Sequence, residues 1–376
     1  MRFMIPELIT DPYPYYQQWR EEKPIWRDEE SGFWVLTRYD DIRSILKNSA
    51  HFSSQAMGQG SPLPLLTDDP PRHTQLRGLV NKAFTVRMLK SISDRVETIA
   101  RDLVAEIKAG EPVDIVTALT TPLPVAVISK MMDIPAERAD DFKRWSDALT
   151  GTLAGASIAD RESEIFEMGA YFASLIPLRR ENPGEDLVSA IVNAEIDGEQ
   201  LADQDIIGFC ILLLIAGNET TTNLLGNFLN VLADNPDIYA ELKRDPTLIE
   251  ASIEESLRYD SPVQFLMRQA LTDTELHGQQ INKGEIVQVV MGSANRDPRS
   301  YEDPEQFKLD RAKANHHSFG FGIHFCIGAP LARLEAKMAM AALLRKFDSV
   351  GRADGENERV GSHLLRGFHH LWLTFQ

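Results

Sequence analysis

The chain has 376 residues, 43% hydrophobic and 25% charged, an ordinary globular composition with ample apolar residues for a core. Its 56 acidic and 39 basic residues give a net charge of −17, which excludes non-specific nucleic-acid binding and adhesion to anionic membranes. Two distant cysteines, Cys210 and Cys326, form neither a CxxC metal site nor a disulfide framework, as expected of a cytoplasmic protein.

No linker, repeat or low-complexity tract divides the chain, so residues 1–376 are read as one domain. The N-terminus carries no signal-like apolar region. The longest apolar run, Phe209 to Ala216, is too short to span a bilayer, so no membrane anchor is expected.

In chain order, residues 12–22 follow helical spacing, Gly32 to Arg38 alternates like a strand, and Tyr39 to Asn48 is helical again. Residues 53–69 combine Gly, Pro and leucines, and read as a lid over an apolar pocket rather than a plain surface loop. Pro70 opens a helix that carries His73 and Arg77 on one face. Helices are expected over Met88–Lys108, Thr121–Met132, Ala136–Leu149 and Arg161–Glu181, with a flexible hinge at 150–160.

Leu201 to Asp234 reads as one long buried helix with an irregular centre at Ala216-Gly217-Asn218-Glu219-Thr220. Gly217 costs about 1 kcal/mol there relative to Ala, the threonines are poor helix formers, and a carboxylate after an apolar run is expensive. Three local violations at one place point to function.

Glu255 and Arg258 lie on one face of a helix from Leu248 to Tyr259. Ser261 to Arg268 is extended, and Gln269 to Met291 alternates as a small antiparallel sheet. His316 and His317 have no partner at metal-ligand spacing and read as loop residues.

Cys326 lies in a Gly-rich turn just ahead of a helical run from Pro330 to Leu344. A thiolate there gains from the helix N-terminal dipole and free backbone N–H groups. Gly322 suits a positive φ, and Gly328 permits close backbone approach. Phe319, Phe321 and Phe325 are placed to keep water off the sulfur, as an axial ligand to haem iron needs. The chain ends in a strand-like alternation after Leu364 and Leu365, with His369 and His370 at the surface.

The pattern Phe319-x-x-Gly322-x-x-x-Cys326-x-Gly328 resembles the haem-ligand loop of the cytochrome P450 family, the haem-thiolate monooxygenases. H-x-x-x-R at 73–77, A-G-x-E-T at 216–220 and E-x-x-R at 255–258 follow in that family's order, so the resemblance covers essentially the whole chain. It implies a mainly α fold with small antiparallel β-sheets, a long central helix over haem b (Fe-protoporphyrin IX), and Cys326 as the iron's axial ligand.

By the same resemblance His73, Arg77, Arg268 and His324 contact the haem propionates, with Phe319, Gly322 and Gly328 shaping the cofactor loop. Glu219 and Thr220 deliver protons to dioxygen, and Ala216 and Gly217 complete that motif, Gly217 leaving room for the oxygen. Glu255, Arg258 and Arg311 form a structural trio behind the haem. Leu63, Leu65, Leu66, Leu212, Ile215, Ala216, Val263, Phe265, Leu266, Leu364 and Leu365 line the substrate pocket, and Gln264 is its candidate polar handle.

The implied reaction inserts one oxygen atom of O2 into a C–H or C=C bond of a small to medium apolar substrate, such as a terpenoid, fatty acid, steroid or macrolide-like compound. Two electrons come from a separate ferredoxin or flavodoxin with an NAD(P)H-dependent reductase. Arg333, Lys337, Arg345 and Lys346 against Glu335 suggest a basic docking patch for an acidic ferredoxin. Two other readings stay open: a peroxide-driven or non-redox haem-thiolate enzyme on the same fold, and a haem-free helical binding or sensor protein.

Overall fold

The computed structural model describes residues 1–57, 63–83, 86–153, 161–196, 198–311 and 315–376. Of the two lid segments, residues 58–62 and 154–160 lie outside the described residues.

The helices that matter for the site are α1 (Tyr13–Glu22), α2 (Tyr39–Lys47), α3 (Arg72–Ala83), α4 (Val86–Glu106) and α5 (Pro122–Met131). They continue with α6 (Ala139–Leu153), α7 (Glu162–Glu181), α8 (Asp203–Asp234), α9 (Ile249–Tyr259) and α10 (Ala329–Lys346). Thr150 to Leu153, expected in a hinge, form the last turn of α6 instead.

α8 is the axis of the molecule. It runs unbroken through Gly217, and α5, α6, α7, α9 and α10 all pack on it. It is long and apolar enough to cross a membrane, but half of its most apolar stretch is buried inside the protein, as in a core helix. Its start carries Asp203 and Asp205, which suit the positive end of the helix dipole. Arg180 reaches Asp203 at 2.6 Å and Arg72 reaches Asp205 at 2.6 Å, tying α7 and α3 to that end.

α10 lies against α4. Gly328 caps its N-terminus and Pro330 sits in its first turn, where no N–H is needed. At its other end Lys346 donates to the carbonyls of Val104, Ala105 and Ile107, closing the C-terminus of α4.

Strands β1 (Ile25–Arg27), β2 (Trp34–Leu36), β3 (Phe52–Ser53), β4 (Leu266–Ala270) and β5 (Ile286–Val289) form one sheet in the order β1-β2-β5-β4-β3. Only the β2–β5 pairing is parallel. Trp34, Val35 and Leu36 are all buried, because this inner strand is covered on both faces. The apolar residues fall into one large helical core, a second cluster under the sheet, and an aromatic cluster around α1.

Candidate active site

The cysteine turn is held from outside by α2. Gly320 and Gly322 have φ of +70° and +77°, and a Cβ on Gly322 would stand 2.6 Å from the Leu46 carbonyl oxygen. Both the backbone conformation and the close approach demand glycine at 322. Gly328 differs from expectation: a Cβ there would meet only the Cys326 sulfur, at 3.9 Å, an ordinary contact. Its contribution is its N–H.

The Cys326 N–H donates to the Phe319 carbonyl at 2.9 Å. Burial pushes the thiol up, while the N–H groups of Gly328 and Ala329 and the guanidinium groups of Arg77 and Arg333 pull it down. The residue is crowded by protein yet keeps an accessible face, through which another atom can reach the sulfur. Phe319 and Phe325 meet edge to face at 6.1 Å, with Arg333 over the Phe319 ring. Phe321 turns away into the sheet cluster under Arg43, and Phe325 is itself exposed, so the aromatic shield is thinner than the sequence suggests.

Beside this turn four basic residues converge from three parts of the chain. His73 and Arg77 come from α3, Arg268 from β4 and His324 from the cysteine loop. The His73 and His324 rings lie 4.1 Å apart. Both ring nitrogens of His73 and Nε2 of His324 are buried with no hydrogen-bond partner among the described residues. Arg268 is 6% exposed, and the one side-chain hydrogen bond it makes among the described residues goes to its neighbour's carbonyl.

Burial disfavours their charged forms. Burial lowers Arg268 to about 10, against the pull of Asp69. Burial, then His73, Arg268 and Arg77, lower His324 to about 3. His73 is lowered by burial and then by Arg77. Buried basic groups with unused donors need anions. A group carrying two carboxylates fits this cluster, and the nearby sulfur fits the iron such a group would hold.

The centre of α8 carries the remaining motif residues. The Thr220 hydroxyl donates to the Ala216 carbonyl at 2.7 Å, and Ala216 itself is exposed. Glu219 Oε1 accepts from Asn223 Nδ2 at 3.2 Å. Gly217 departs from its expected role: the place a Cβ would occupy is filled by Ile128 of α5, whose Cδ1 would stand 2.8 Å away. Its glycine lets two helices meet, so the motif's glycine is a packing residue here. Asn218 bonds Ser146 of α6, and Thr222 donates to the Thr120 carbonyl at 2.9 Å.

The pocket residues divide. Leu212 and Ile215 are partly buried on α8, and Leu266 reaches toward the cysteine turn near Gly320. Val263 and Leu365 pair as an isolated bridge. Leu63 is partly buried and Leu66 exposed, while Leu65 is buried with φ +71°, its N–H donating to Asp68 at 2.7 Å and its carbonyl facing His324.

Phe265 does not join this group: it packs edge to face on Phe3 at 5.5 Å in the α1 cluster, where Leu364 also rests. Adjacent residues of an extended segment face opposite ways, and the alternation sends Phe265 away. Nor is Gln264 a substrate handle, because it is buried and spent on Ser261 and Tyr16. Asp69, which the sequence reading missed, accepts from Ser53 at 2.5 Å and faces Arg268; only the fold brings them together.

Behind the cysteine loop, Glu255 takes a two-pronged bond from Arg258 at 2.7 and 2.8 Å and a further one from Arg311 at 2.9 Å. Arg258 also donates to the carbonyls of Asn295, Pro304 and Gln306. His316 bonds Glu254 at 3.3 Å, and His317 is buried and stacked on Tyr39.

The basic patch on α10 is not free charge. Arg333 binds Glu254, Lys337 binds Glu250 and Arg345 approaches Glu97, while Lys346 is used on α4. Glu335, counted with the patch, is fully buried, and burial raises its carboxyl well above the usual range.

Burial opposes the charge on Glu254, but Arg333 and His316 prevail and hold its carboxyl at about 2, from 4.5. A depressed folded value stabilises above the unfolded value. The contribution is therefore present above about 4.5 and lost as pH falls toward 2. Acid titration of Glu254→Gln, followed by circular dichroism, is expected to show a stability deficit at neutral pH that disappears across that window.

A helical protein with a cysteine turn before a helix, a long central helix packed on that helix and a basic cluster beside the turn is built like a haem-thiolate enzyme. The family model described as Cytochrome P450 matches residues 174–359. Cytochrome P450 109 of Bacillus spizizenii is 40% identical over 370 residues, 96% of this chain and 91% of that protein. The chain belongs to the cytochrome P450 family.

Among solved structures, CYP109E1 from Bacillus megaterium in complex with testosterone superposes with a TM-score of 0.90 at 39% identity, covering 97% of this chain and 99% of that one. The bacillaene polyketide synthase cytochrome P450 PksS of Bacillus subtilis gives a TM-score of 0.92 at 36% identity, covering all of both chains.

Proposed function

We propose that this protein is a haem-dependent monooxygenase that inserts one atom of O2 into a C–H or C=C bond of a steroid- or polyketide-sized apolar substrate. The observation that carries the reading is the set of four basic residues beside Cys326, His73 and Arg268 buried and Arg77 and His324 partly so, with three ring nitrogens that have no hydrogen-bond partner among the described residues. They suit the two propionates of haem b. The relatives' bound testosterone and polyketide pathway support the substrate class.

Cys326 Sγ would hold the haem iron, and the N–H groups of Gly328 and Ala329 would stabilise its negative charge. Haem, when bound, supplies the iron at which dioxygen is reduced and cleaved. Thr220 holds a hydroxyl proton on the Ala216 carbonyl and releases it by rotation, while Glu219, the adjacent acid, exchanges protons. Leu212, Ile215, Val263 and Leu266 exclude water and hold the substrate by apolar contact. Two electrons come from a separate ferredoxin or flavodoxin with its reductase. The two unbonded cysteines suit a reducing, cytoplasmic setting.

The test is a titration of the ferric holoenzyme with steroids, macrolides and fatty acids, following the low-spin to high-spin change of the Soret band. A saturable shift with steroids or macrolides, and product carrying one labelled oxygen from O2, is the expected result. Turnover only with peroxide, unaffected by Thr220→Ala, would overturn monooxygenation. A shift confined to fatty acids would overturn the substrate class.

A further inference from the structure

The glutamate at the centre of α8 is held by a neighbour that the family motif does not contain. Asn223 lies one turn beyond Glu219, is fully buried, and donates Nδ2 to Glu219 Oε1 at 3.2 Å. Its own Oδ1 is buried with no hydrogen-bond partner among the described residues. An unpaired buried amide oxygen is destabilising, and leucines occupy the next two positions, so an apolar residue would suit the packing alone.

The C-terminal segment fixes how Asn223 points. A Cβ on Gly367 would lie 1.7 Å from Asn223 Oδ1, 2.3 Å from its Cγ and 2.8 Å from its Cβ. No side chain fits there, so the backbone of residue 367 presses directly on the amide. That backbone is itself anchored to α8 one turn further on. Asn227 donates to the carbonyls of Arg366 at 2.9 Å and Asp260 at 3.1 Å, and the Arg366 guanidinium binds Asp260 at 2.6 Å.

We propose that Asn223 is a positioning residue for the Glu219 carboxylate, and that Gly367 is the seat that keeps Asn223 aimed at it. The proposal rests on the reading of Glu219 as a proton-delivering acid. In coupled turnover NAD(P)H, a proton and O2 convert substrate R–H to R–OH and water. When protons arrive badly, the same two electrons leave as hydrogen peroxide and R–H is unchanged.

The experiment compares Asn223→Leu, Asn223→Ala, Gly367→Ala, the Asn223→Ala/Gly367→Ala double variant and Glu219→Gln as holoenzymes with a reductase pair. Product and peroxide formed per NAD(P)H are measured, with substrate affinity from the Soret shift and crystal structures of the variants. Asn223→Leu is expected to lower product per NAD(P)H about tenfold, part of the roughly 10²–10⁴ that positioned proton transfer supplies. Substrate affinity stays unchanged, and in the crystal the Glu219 carboxylate leaves its place. Gly367→Ala is expected to uncouple similarly.

Because Gly367 acts through Asn223, the double variant is expected to be no worse than Asn223→Ala alone. This cycle keeps the test open if Asn223→Leu fails to fold. Additive losses would overturn the role of Gly367. Coupled Asn223 variants beside an uncoupled Glu219→Gln would overturn the role of Asn223 alone. A coupled Glu219→Gln would remove the acid reading, and this inference with it.

Discussion

Replacing Cys326 by serine is expected to abolish the red-shifted, thiolate-type Soret band of the reduced, carbon monoxide-treated protein. Product formation should fall by more than the roughly 100-fold that loss of an outer-shell partner typically costs. Serine preserves volume, so the variant should keep wild-type far-ultraviolet circular dichroism. What changes is the donor atom: an alcohol oxygen is a poorer electron donor to iron than a thiolate and does not favour O–O cleavage. The N–H groups of Gly328 and Ala329 and the charges of Arg77 and Arg333 remain aimed at that position. The loss would therefore belong to the sulfur and not to its surroundings. An unaltered carbonyl spectrum in Cys326→Ser would show that the ligand lies elsewhere.

The second large effect is structural. Glu255→Ala is expected to destabilise the protein by about 3–5 kcal/mol, the range for breaking a buried ion pair from one side. Glu255 is 1% exposed, Arg258 is fully buried and Arg311 nearly so. Without the carboxylate, Arg258 keeps only backbone carbonyls, and the Lys308 N–H also loses its acceptor. Glu255→Gln retains one acceptor oxygen and should lose less. Urea unfolding of the three proteins measures the order, and a Glu255→Ala midpoint equal to wild type would show the trio to be dispensable.

In the sequence, E-x-x-R is indistinguishable from a surface pair worth about 0–1 kcal/mol. Its weight comes from burial, and burial comes from the loop that brings Arg311 and three carbonyls around it. The same divide runs through the rest of the molecule. Helix positions and the strand at Trp34 were legible because apolar spacing follows local geometry. The glycine at 322 was equally legible in kind, since a turn with positive φ leaves its mark on composition, whereas Gly320 was not singled out.

Side-chain direction was not legible. Leu266 reaches toward the cysteine turn while its neighbour Phe265 packs on Phe3, and alternation alone cannot say which parity faces the centre. Charge was misread for a similar reason: Arg333 and Lys337 stand out on α10, but Glu254 and Glu250, which neutralise them, lie far earlier in the chain. Gly217 looked like room for a ligand and turned out to be the notch for Ile128, a helix crossing that no local pattern records.

The basic cluster beside Cys326 has a thermodynamic consequence. Burial disfavours the charged forms of His73, Arg77, Arg268 and His324, so the chain folds against a local desolvation cost. Any dianion that docks there relieves it, and binding then becomes part of the free energy of folding. A ligand at 100 times its dissociation constant adds about 2.7 kcal/mol to stability by mass action. A cell's supply of haem would in this way set how much of the chain survives proteolysis, as well as how much of it is active.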